Sequence, residues 1–355
     1  MTSGNATPND IESNLKKYRA GMQIIFEGAR ANTGQTPKEI IWTKNKAKLY
    51  HYEPAVEKKF PVPILLIYAL INRPYVLDLM PGNSLVEYLV NKGFDVYMLD
   101  WGIPGDEDIN LTFDNYVMDY IPRAVKKVLR TSKAEEITML GFCMGGTMAA
   151  MYAALFPGKP LRNLILLTAP IDFATENTGL YGLWTSEKYF NPDHMVDAFG
   201  NIPGDLVDTG NRLVKPVTNY IGSYVTMWDR ILQGKSMDTW LAMNKWVNDG
   251  IPFPGAAFRQ WIREFYQQNK LVKGEIKLRG LRVDLSKISC PVLNIAGKKD
   301  HICTLPQAEA TMNLISSDDK EFFVLDAGHV GLLTGSEAKK TLWPKIRSWL
   351  ELRSK

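Results

Sequence analysis

Cysteine and histidine are both scarce in this chain, and their scarcity limits the kinds of site it can form. Three cysteines (Cys143, Cys290 and Cys303) and four histidines occur among 355 residues, and no two cysteines have Cys-x-x-Cys spacing. A set this small and widely separated argues against a disulfide scaffold and a zinc site, and favours a reducing compartment. We therefore expect a protein that needs no metal and no cofactor.

Long apolar runs and an excess of charge of one sign are also missing. No uninterrupted apolar run approaches the roughly 18 residues of a membrane-spanning helix, and the N-terminus lacks the basic-then-apolar order of a secretion signal. The 42 Lys and Arg residues nearly balance the 38 Asp and Glu residues, and the net charge of +4 is dispersed. Nucleic acid is thus not an expected partner, and we predict a soluble, cytoplasmic protein.

Six short apolar runs of the β type are spaced along the chain. Helical or loop material separates them, an alternation typical of a mainly parallel sheet with helices on both faces. The predicted architecture is therefore α/β. The runs are residues 64–69, 96–99, 137–140, 164–167, 292–296 and 322–325.

The long interval between the fourth and fifth runs has a different character. It contains aromatic-rich helical patterns, such as residues 240–247 and 258–271, interrupted by Gly and Pro clusters. Helices inserted after a core strand emerge at the sheet edge where ligands bind in such folds. We predict a core at residues 36–171 and 290–355 and a helical cap insertion at 172–289. A subdomain that only adds stability is the alternative.

The most informative motif is Gly-Phe-Cys-Met-Gly at residues 141–145, where a cysteine takes the place of the serine in a Gly-x-Ser-x-Gly turn. A β-type run precedes it and an Ala- and Met-rich stretch at 147–155 follows, which is the order of the α/β-hydrolase nucleophile elbow. The sharp turn requires flanking glycines because larger side chains would clash. A thiolate is both a good nucleophile and a good leaving group, so Cys143 indicates acyl transfer with a preference for thioesters. The alternative is a small buried hydrophobic residue.

Candidates for the base and the acid follow from chain order, because in α/β-hydrolases the acid follows the nucleophile and the histidine comes last. His329 lies in a glycine-flanked turn past the final run, and Asp300 follows the fifth run by a short loop. We predict that Cys143 attacks, His329 moves the proton and Asp300 orients the imidazole. His301 is interpreted as a structural hydrogen-bonding residue, and Asp172 is the rival acid. A metal site formed by Asp300, His301 and His329 is a further alternative, but the spacing of these residues is not diagnostic of metal ligands.

Two backbone N–H groups are predicted to stabilise the oxyanion of a tetrahedral intermediate. One belongs to Met144, the residue after the nucleophile, and the other to the loop after an early strand. In that loop, at residues 70–74, Ile71 or Asn72 is the candidate donor. The alternative is that the loop merely ends the strand.

Further motifs, together with the elbow at 141–146, resemble those of the catalytic subunit of polyhydroxyalkanoate synthases. The resemblance runs from about residue 36 to the C-terminus. Because the chain is short, it is similar to the two-subunit type, and most to the Bacillus-type class IV enzymes. The motifs are Tyr-Ala-Leu-Ile-Asn-Arg-Pro-Tyr at 68–75, Asp-Val-Tyr-Met-Leu-Asp-Trp-Gly at 95–102, Phe-Gly-Asn-Ile-Pro at 199–203, Phe-Tyr-Gln-Gln-Asn at 265–269, Asp-His at 300–301 and Gly-His at 328–329.

This resemblance implies an α/β-hydrolase fold and the polymerisation of (R)-3-hydroxyacyl-CoA, with 3-hydroxybutyryl-CoA as the expected monomer and CoA released. It implies that Cys143, Asp300 and His329 are the catalytic residues. It also implies a small second synthase subunit, a homo-oligomer or hetero-oligomer, and association with cytoplasmic polyester granules. Two alternatives stay open: a thioesterase or esterase with water as the acceptor, and a non-catalytic granule-associated protein.

Residues 1–35 are predicted to form an N-terminal helical segment. Its apolar residues recur on one side of a helix, which either docks a second subunit or the polymer surface, or packs against its own domain. These residues are Ile11, Leu15, Tyr18, Met22 and Phe26.

Overall fold

An eight-stranded sheet forms the centre of the molecule in the computed structural model, which describes residues 8–27, 31–174 and 178–355. The strand order across the sheet is β1-β2-β4-β3-β5-β6-β7-β8, and all neighbours from β4 to β8 pair in parallel. The strands are β1 (Lys38–Lys44), β2 (Ala47–Tyr52), β3 (Ile64–Ile67), β4 (Val96–Asp100), β5 (Ile137–Phe142), β6 (Leu161–Leu167), β7 (Val292–Gly297) and β8 (Lys320–Leu325).

The six predicted apolar runs are strands β3 to β8. Every residue of β3, β4, β5 and β7 is buried. Since successive side chains of a strand point to opposite faces, continuous burial means that both faces of the sheet are covered. The predicted α/β architecture, mainly parallel and flanked by helices, is confirmed.

The sequence motifs did not reveal the hairpin of β1 and β2, which extends the sheet antiparallel to β4. β1 is Lys-Glu-Ile-Ile-Trp-Thr-Lys and is nowhere fully buried. The charged residues at its two ends suit an edge strand, because lysines there discourage pairing with other chains. A continuous apolar run is therefore the wrong pattern by which to find it.

Helices and short turns connect the strands. None of the described helices has the length and apolar character that crossing a bilayer demands. The α-helices are α1 (Pro8–Glu27), α2 (Leu85–Asn91), α3 (Phe113–Asn115), α4 (Ile121–Ser132), α5 (Met144–Leu155), α6 (Gly179–Trp184), α7 (Pro192–Phe199), α8 (Gly204–Leu213), α9 (Ser223–Leu232), α10 (Asp238–Val247), α11 (Gly255–Gln260), α12 (Leu305–Glu309), α13 (Thr311–Leu314), α14 (Gly331–Thr334) and α15 (Trp343–Arg353). Tyr116–Tyr120, Val217–Gly222, Trp261–Gln267 and Ala338–Leu342 are π-helical, and Pro74–Leu77, Asp106–Asp108 and Leu285–Lys287 are 3₁₀ turns. Two small hairpins pair Asp78–Met80 with Asn83–Ser84 and Lys277–Leu278 with Leu281–Arg282.

Helices α6 to α11 all lie between β6 and β7, in the interval predicted as a cap insertion. Because β5, β6 and β7 are parallel, the insertion leaves the sheet at the same edge as the turn after β5. Residues of α8, α9 and α10 line a cavity together with Cys143. The insertion therefore covers the carboxyl edge of the sheet.

The N-terminal helix α1 packs against α9 of the insertion. The rings of Tyr18 and Trp228 stack with centroids 5.9 Å apart, and the Lys17 Nζ donates to the Leu232 carbonyl at 3.1 Å. A Cβ at Gly21 would lie 2.3 Å from the Trp228 ring, so a larger residue here would have to displace that ring. Packing within the chain is therefore one role of this helix. Residues 1–7, 28–30 and the Ile11 side chain lie outside the described part.

Candidate active site

Cys143 occupies a strained turn between strand β5 and helix α5. Its φ of 55° and ψ of −130° lie in a region that residues with a side chain rarely adopt. The turn follows a fully buried strand and precedes a helix buried over nearly its whole length, so packing on both sides holds the strained backbone. This is the geometry of a nucleophile elbow.

The glycines of the elbow are needed for space. A Cβ at Gly145 would lie 2.3 Å from the Ile67 carbonyl oxygen, and one at Gly146 would lie 2.5 Å from the Ala169 Cβ. Neither glycine has a positive φ, so the backbone strain falls on Cys143 alone within the motif. Larger side chains at these positions would clash, as expected. Because the two glycines have no side chain, α5 can approach the ends of β3 and β6.

His329 and Asp300 meet beside this turn. The His329 Nδ1 and the Asp300 Oδ2 are 2.7 Å apart, and the imidazole lines the same cavity as Cys143. Since Nδ1 faces Asp300, Nε2 is the nitrogen left for the sulfur. Cys143, Asp300 and His329 follow β5, β7 and β8, whose carboxyl ends share one edge of the sheet. The structure thus brings together the three side chains singled out from the sequence.

The Asp300 carboxylate is buried and accepts several hydrogen bonds. The Thr168 hydroxyl and the His329 Nδ1 both bond to Oδ2, while the N–H groups of Ile302 and Cys303 donate to Oδ1 at 2.8 and 3.0 Å. Burial alone would raise the pKa of Asp300, but the imidazole and these donors outweigh it and hold the pKa below its usual range. Asp300 is therefore ionised and fixed in orientation.

The charge of the His329 imidazole is set by its two partners. Its side chain is only 9% exposed, and burial alone would lower its pKa. The charge of the Asp300 carboxylate, with a further contribution from the nearby Cys143, outweighs this and raises the pKa of His329 to about 10. An imidazolium beside the sulfur is the favoured state at neutral pH.

We expect this imidazolium to make stability depend on pH. The folded pKa of His329 lies near 10 and the ordinary value is 6.5, so its contribution is complete below about pH 6.5 and is lost as the pH rises through about 10. Urea unfolding of the wild type and of a His329→Gln variant at pH 6.5, 8 and 9.5 measures this contribution to the free energy of unfolding. The stability advantage of the wild type should shrink with rising pH. A growing advantage would contradict an ion pair between the His329 imidazolium and the Asp300 carboxylate.

Thr168 is a site residue that the sequence motifs missed. It follows β6 directly, is fully buried, and has a φ of 48°, which is unusual for a β-branched residue. A polar residue immediately after a central strand, next to the strand that carries the nucleophile, was the available signal.

Replacing Thr168 by valine should slow turnover while the fold is kept. Valine has the same shape but removes the hydroxyl donor to Asp300, and a hydrogen bond to a charged group contributes about 1.5–3 kcal/mol, roughly 10- to 100-fold in rate. Steady-state kinetics over pH measure kcat and the apparent pKa of the imidazole. Thr168→Ser, which keeps the oxygen, should stay near the wild type. Equal losses in both variants would mean that the hydroxyl is unimportant.

The rival residues lie elsewhere. His301 is exposed, and the Asp172 Oδ1 accepts hydrogen bonds from the Asn269 side chain at 2.8 Å and from the Ala174 N–H at 3.1 Å. Neither residue bonds to His329 in the part of the chain that the structure describes. Geometry therefore pairs the imidazole with Asp300.

The two oxyanion candidates line a cavity together with Cys143. Ile71 and Cys143 line the same cavities, and Met144 begins the helix that follows the nucleophile. Among the described residues, no acceptor is found for the N–H of Met144 or of Ile71. Asn72 instead uses its side-chain oxygen to accept from the Arg73 N–H at 2.7 Å. Free donors at Met144 and Ile71 leave both available to an oxyanion.

Two cavities that differ in how many polar side chains line them meet at Cys143. The first, of about 330 Å³ and here called the polar chamber, contains His329 and hydrogen-bonding residues of the insertion, including Asp208, Asn211, Arg212, Asn219 and Asn244. The second, of about 270 Å³ and here called the apolar chamber, is walled chiefly by Trp184, Phe190, Val207, Phe258, Trp261 and Ile262. Ile71, Cys143, Asn211 and Ile302 border both chambers.

Two family descriptions match this chain. The alpha/beta hydrolase fold matches residues 62–336, and the poly-beta-hydroxybutyrate polymerase (PhaC) N-terminus matches residues 9–89. The second match begins well before residue 36, where the sequence motifs had placed the start of the resemblance. That boundary was wrong, because the N-terminal residues carry similarity without a recognisable motif.

Relatives with this assignment cover most of the chain. The poly(3-hydroxyalkanoate) polymerase subunit PhaC of Haloferax mediterranei is 41% identical over 92% of this chain, which spans 66% of that protein. The PhaC subunit of Synechocystis sp. is 37% identical, with 95% of this chain and 91% of the relative covered. The finer likeness to Bacillus-type enzymes stays a prediction.

Among solved structures, a putative lipase from Sulfolobus solfataricus matches with a TM-score of 0.57 and 17% identity, covering 92% of this chain and 97% of that one. It is similar in fold alone, and it confirms the predicted α/β-hydrolase fold together with the family match. The chain therefore belongs to the poly(3-hydroxyalkanoate) polymerase family, a family of acyltransferases on an α/β-hydrolase scaffold.

Proposed function

We propose that this chain polymerises (R)-3-hydroxyacyl-CoA, with 3-hydroxybutyryl-CoA as its monomer, into polyhydroxyalkanoate and releases CoA. The observation that carries the proposal is Cys143 on a strained elbow, in one cavity with an imidazole that Asp300 holds at 2.7 Å. A thiol nucleophile exchanges one thioester for another at little cost, so the acyl group stays activated. Family membership supports polyester synthesis as the outcome.

Acylation begins from the ion pair of Cys143 and His329. The Cys143 thiolate attacks the carbonyl carbon of the substrate, and the N–H groups of Met144 and Ile71 stabilise the oxyanion. The bond between that carbon and the CoA sulfur breaks, and the sulfur takes the proton from the His329 imidazolium. CoA leaves as a thiol, and the now neutral imidazole is ready to act as a base.

Elongation uses that neutral imidazole. The 3-hydroxyl oxygen of the next hydroxyacyl-CoA attacks the acyl carbon on Cys143, its proton passes to His329, and the bond to the Cys143 sulfur breaks. The lengthened chain is then attached to CoA. Attack by the regenerated thiolate returns the chain to Cys143, and the departing CoA sulfur takes the proton from His329. Asp300 stabilises the imidazolium in each half of this cycle.

The polar chamber suits the CoA moiety. It contains His329, and its Asn211, Asn219 and Asn244 side chains have the donors and acceptors that the amides of a pantetheine arm require. The insertion that forms its wall also limits access of water to the thioester. In this mechanism no metal or cofactor is required.

We further propose that the chain works with a small second synthase subunit at the surface of a polyester granule. The relatives' names describe a polymerase subunit, which supports a partner without identifying it. Assembly as a homo-oligomer or hetero-oligomer is part of this proposal.

Incubation with (R)-3-hydroxybutyryl-CoA, with and without the candidate second subunit, tests the proposed function. Released CoA is measured with a thiol reagent, and the product is sized by chromatography. We expect CoA release together with a high-mass polyester. CoA release with free 3-hydroxybutyrate as the only product would instead identify a thioesterase.

A further inference from the structure

Residues 68–73, here called the oxyanion loop, carry Ile71, the proposed second oxyanion donor. They lie between β3 and the 3₁₀ turn Pro74–Leu77 and have no regular secondary structure of their own. Catalytic groups have to be held within about 0.5 Å of their productive position, and misplacement by about 1 Å can cost about 10²-fold in rate. Contacts from outside the loop must therefore fix the direction of the Ile71 N–H.

Two tryptophan indoles hold the oxyanion loop at its two ends. The Trp101 Nε1 donates to the Tyr68 carbonyl at 2.9 Å, and the Trp246 Nε1 donates to the Arg73 carbonyl at 2.8 Å. Trp101 directly follows β4, whereas Trp246 lies in α10. One indole therefore reaches the loop from the sheet and the other from the insertion.

The two held carbonyls enclose Ile71. Each carbonyl is coplanar with the next peptide nitrogen, so a hydrogen bond to it restrains a whole peptide group. Between them, Leu70 is buried, and the Asn72 side-chain oxygen accepts from the Arg73 N–H at 2.7 Å. Ile71 is thus left with little freedom to turn its N–H away from the cavities that it lines with Cys143.

Burial makes both indole bonds persistent. Trp101 is 6% exposed and Trp246 is 7% exposed, and a buried N–H that lost its acceptor would not regain one from water. Further contacts join α10 and the residues after it to the end of the loop. The Tyr75 hydroxyl donates to the Asp249 Oδ2 at 2.8 Å, and the Lys245 Nζ lies 4.8 Å from the centroid of the Tyr75 ring. These contacts keep α10 against the oxyanion loop.

On the basis of the proposed function, we infer that Trp101 and Trp246 are positioning residues for acyl transfer. Their indole N–H groups hold the oxyanion loop so that the Ile71 N–H meets the oxyanion that forms when Cys143 attacks. They act through the loop and not on the reacting atoms. Loss of either N–H should slow the steps that form an oxyanion and leave the reactivity of the thiol unchanged.

Phenylalanine is the test substitution, because it keeps an aromatic ring but has no N–H. Trp246→Phe is the primary variant, and Trp101→Phe, in a different part of the fold, is the second. Trp240→Phe is the matched comparison. Trp240 also lies in α10 and lines the polar chamber, and its Nε1 donates to a main-chain carbonyl at 3.0 Å. That carbonyl belongs to Ser223 of α9, which is not part of the oxyanion loop.

Two reactions of Cys143 separate the oxyanion from the thiol. Acylation by saturating (R)-3-hydroxybutyryl-CoA, followed as the CoA released in the first turnover, passes through an oxyanion. Alkylation by iodoacetamide joins the sulfur to a saturated carbon and expels iodide, so no oxyanion forms. Mass spectrometry of the peptide that carries Cys143 gives the alkylation rate, and thermal unfolding confirms that each variant is folded.

We expect acylation to be about 10- to 100-fold slower in Trp246→Phe and in Trp101→Phe, because the Ile71 N–H is then less well aimed. Alkylation should keep its wild-type rate in both. Trp240→Phe should show the wild-type ratio of the two rates, since saturating substrate offsets any change in how the chamber binds it.

Three results would overturn the inference. Wild-type acylation in either folded variant would remove that tryptophan from the assignment. Equal losses of acylation and alkylation would mean that the indoles support the thiol or the fold, and a lowered ratio in Trp240→Phe would mean that the effect is not specific to the loop. Failure of the proposed function is distinguishable from these, because the wild type itself would then release no CoA.

Discussion

Replacing Cys143 by alanine should abolish CoA release from (R)-3-hydroxybutyryl-CoA, with a loss of about 10⁴-fold or more. The sulfur is the only thiol at the junction of the two chambers, and alanine leaves the strained turn without a nucleophile. Neither His329 nor a bound water can form the thioester. A thiol-trapping assay under single-turnover and steady-state conditions measures the loss.

Cys290→Ser is the matched control, because Cys290 is half-buried and lies outside both chambers. It should keep most of the wild-type rate. Labelling with a radioactive acyl group adds a second measurement, since a covalent acyl-enzyme should form in the control and not in Cys143→Ala. A Cys143→Ala variant that still released CoA would refute the nucleophile assignment.

Replacing His329 by alanine should reduce turnover by about 10³- to 10⁴-fold, whereas His301→Ala should keep much of the activity. His329 is the proton carrier in both halves of the proposed cycle; it bonds to Asp300 and lines the same cavity as Cys143. His301 is exposed on the adjacent loop and makes neither contact. Comparing kcat of the two variants at neutral pH measures the difference.

The two variants form a matched pair, because each removes one imidazole near the same edge of the sheet. Circular dichroism and thermal unfolding separate a lost function from a lost fold. The reverse ranking, with His301→Ala inactive and His329→Ala active, would mean that the proton carrier was chosen wrongly.

Much of the core and the site could be predicted from the sequence because the responsible signals are local. Continuous apolar runs predicted β3 to β8, since buried parallel strands tolerate few polar residues. The elbow could be located because a sharp turn beside two close backbones requires Gly145 and Gly146. Asp300 and His329 followed from chain order, because consecutive parallel strands end at the same edge.

The remaining features depend on contacts between distant parts of the chain. Thr168 is one of many threonines until β6 and β7 lie side by side and its hydroxyl reaches Asp300. The charged residues of the β1–β2 hairpin interrupt the continuous apolar pattern from which the other strands were predicted. The N-terminal helix had two open roles, and Trp228, about 200 residues away, decides that it packs against α9.

The sequence by itself determined the α/β class and the family, and it predicted a nucleophile, a base and an acid, because each is encoded in a short motif or in strand order. Only the tertiary structure decided that the helices between β6 and β7 divide the space above Cys143 into a polar and an apolar chamber. The physical reason is that a cavity is defined by side chains from several elements that meet only when folded. The polarity of such a cavity therefore cannot be read from any one local stretch of sequence.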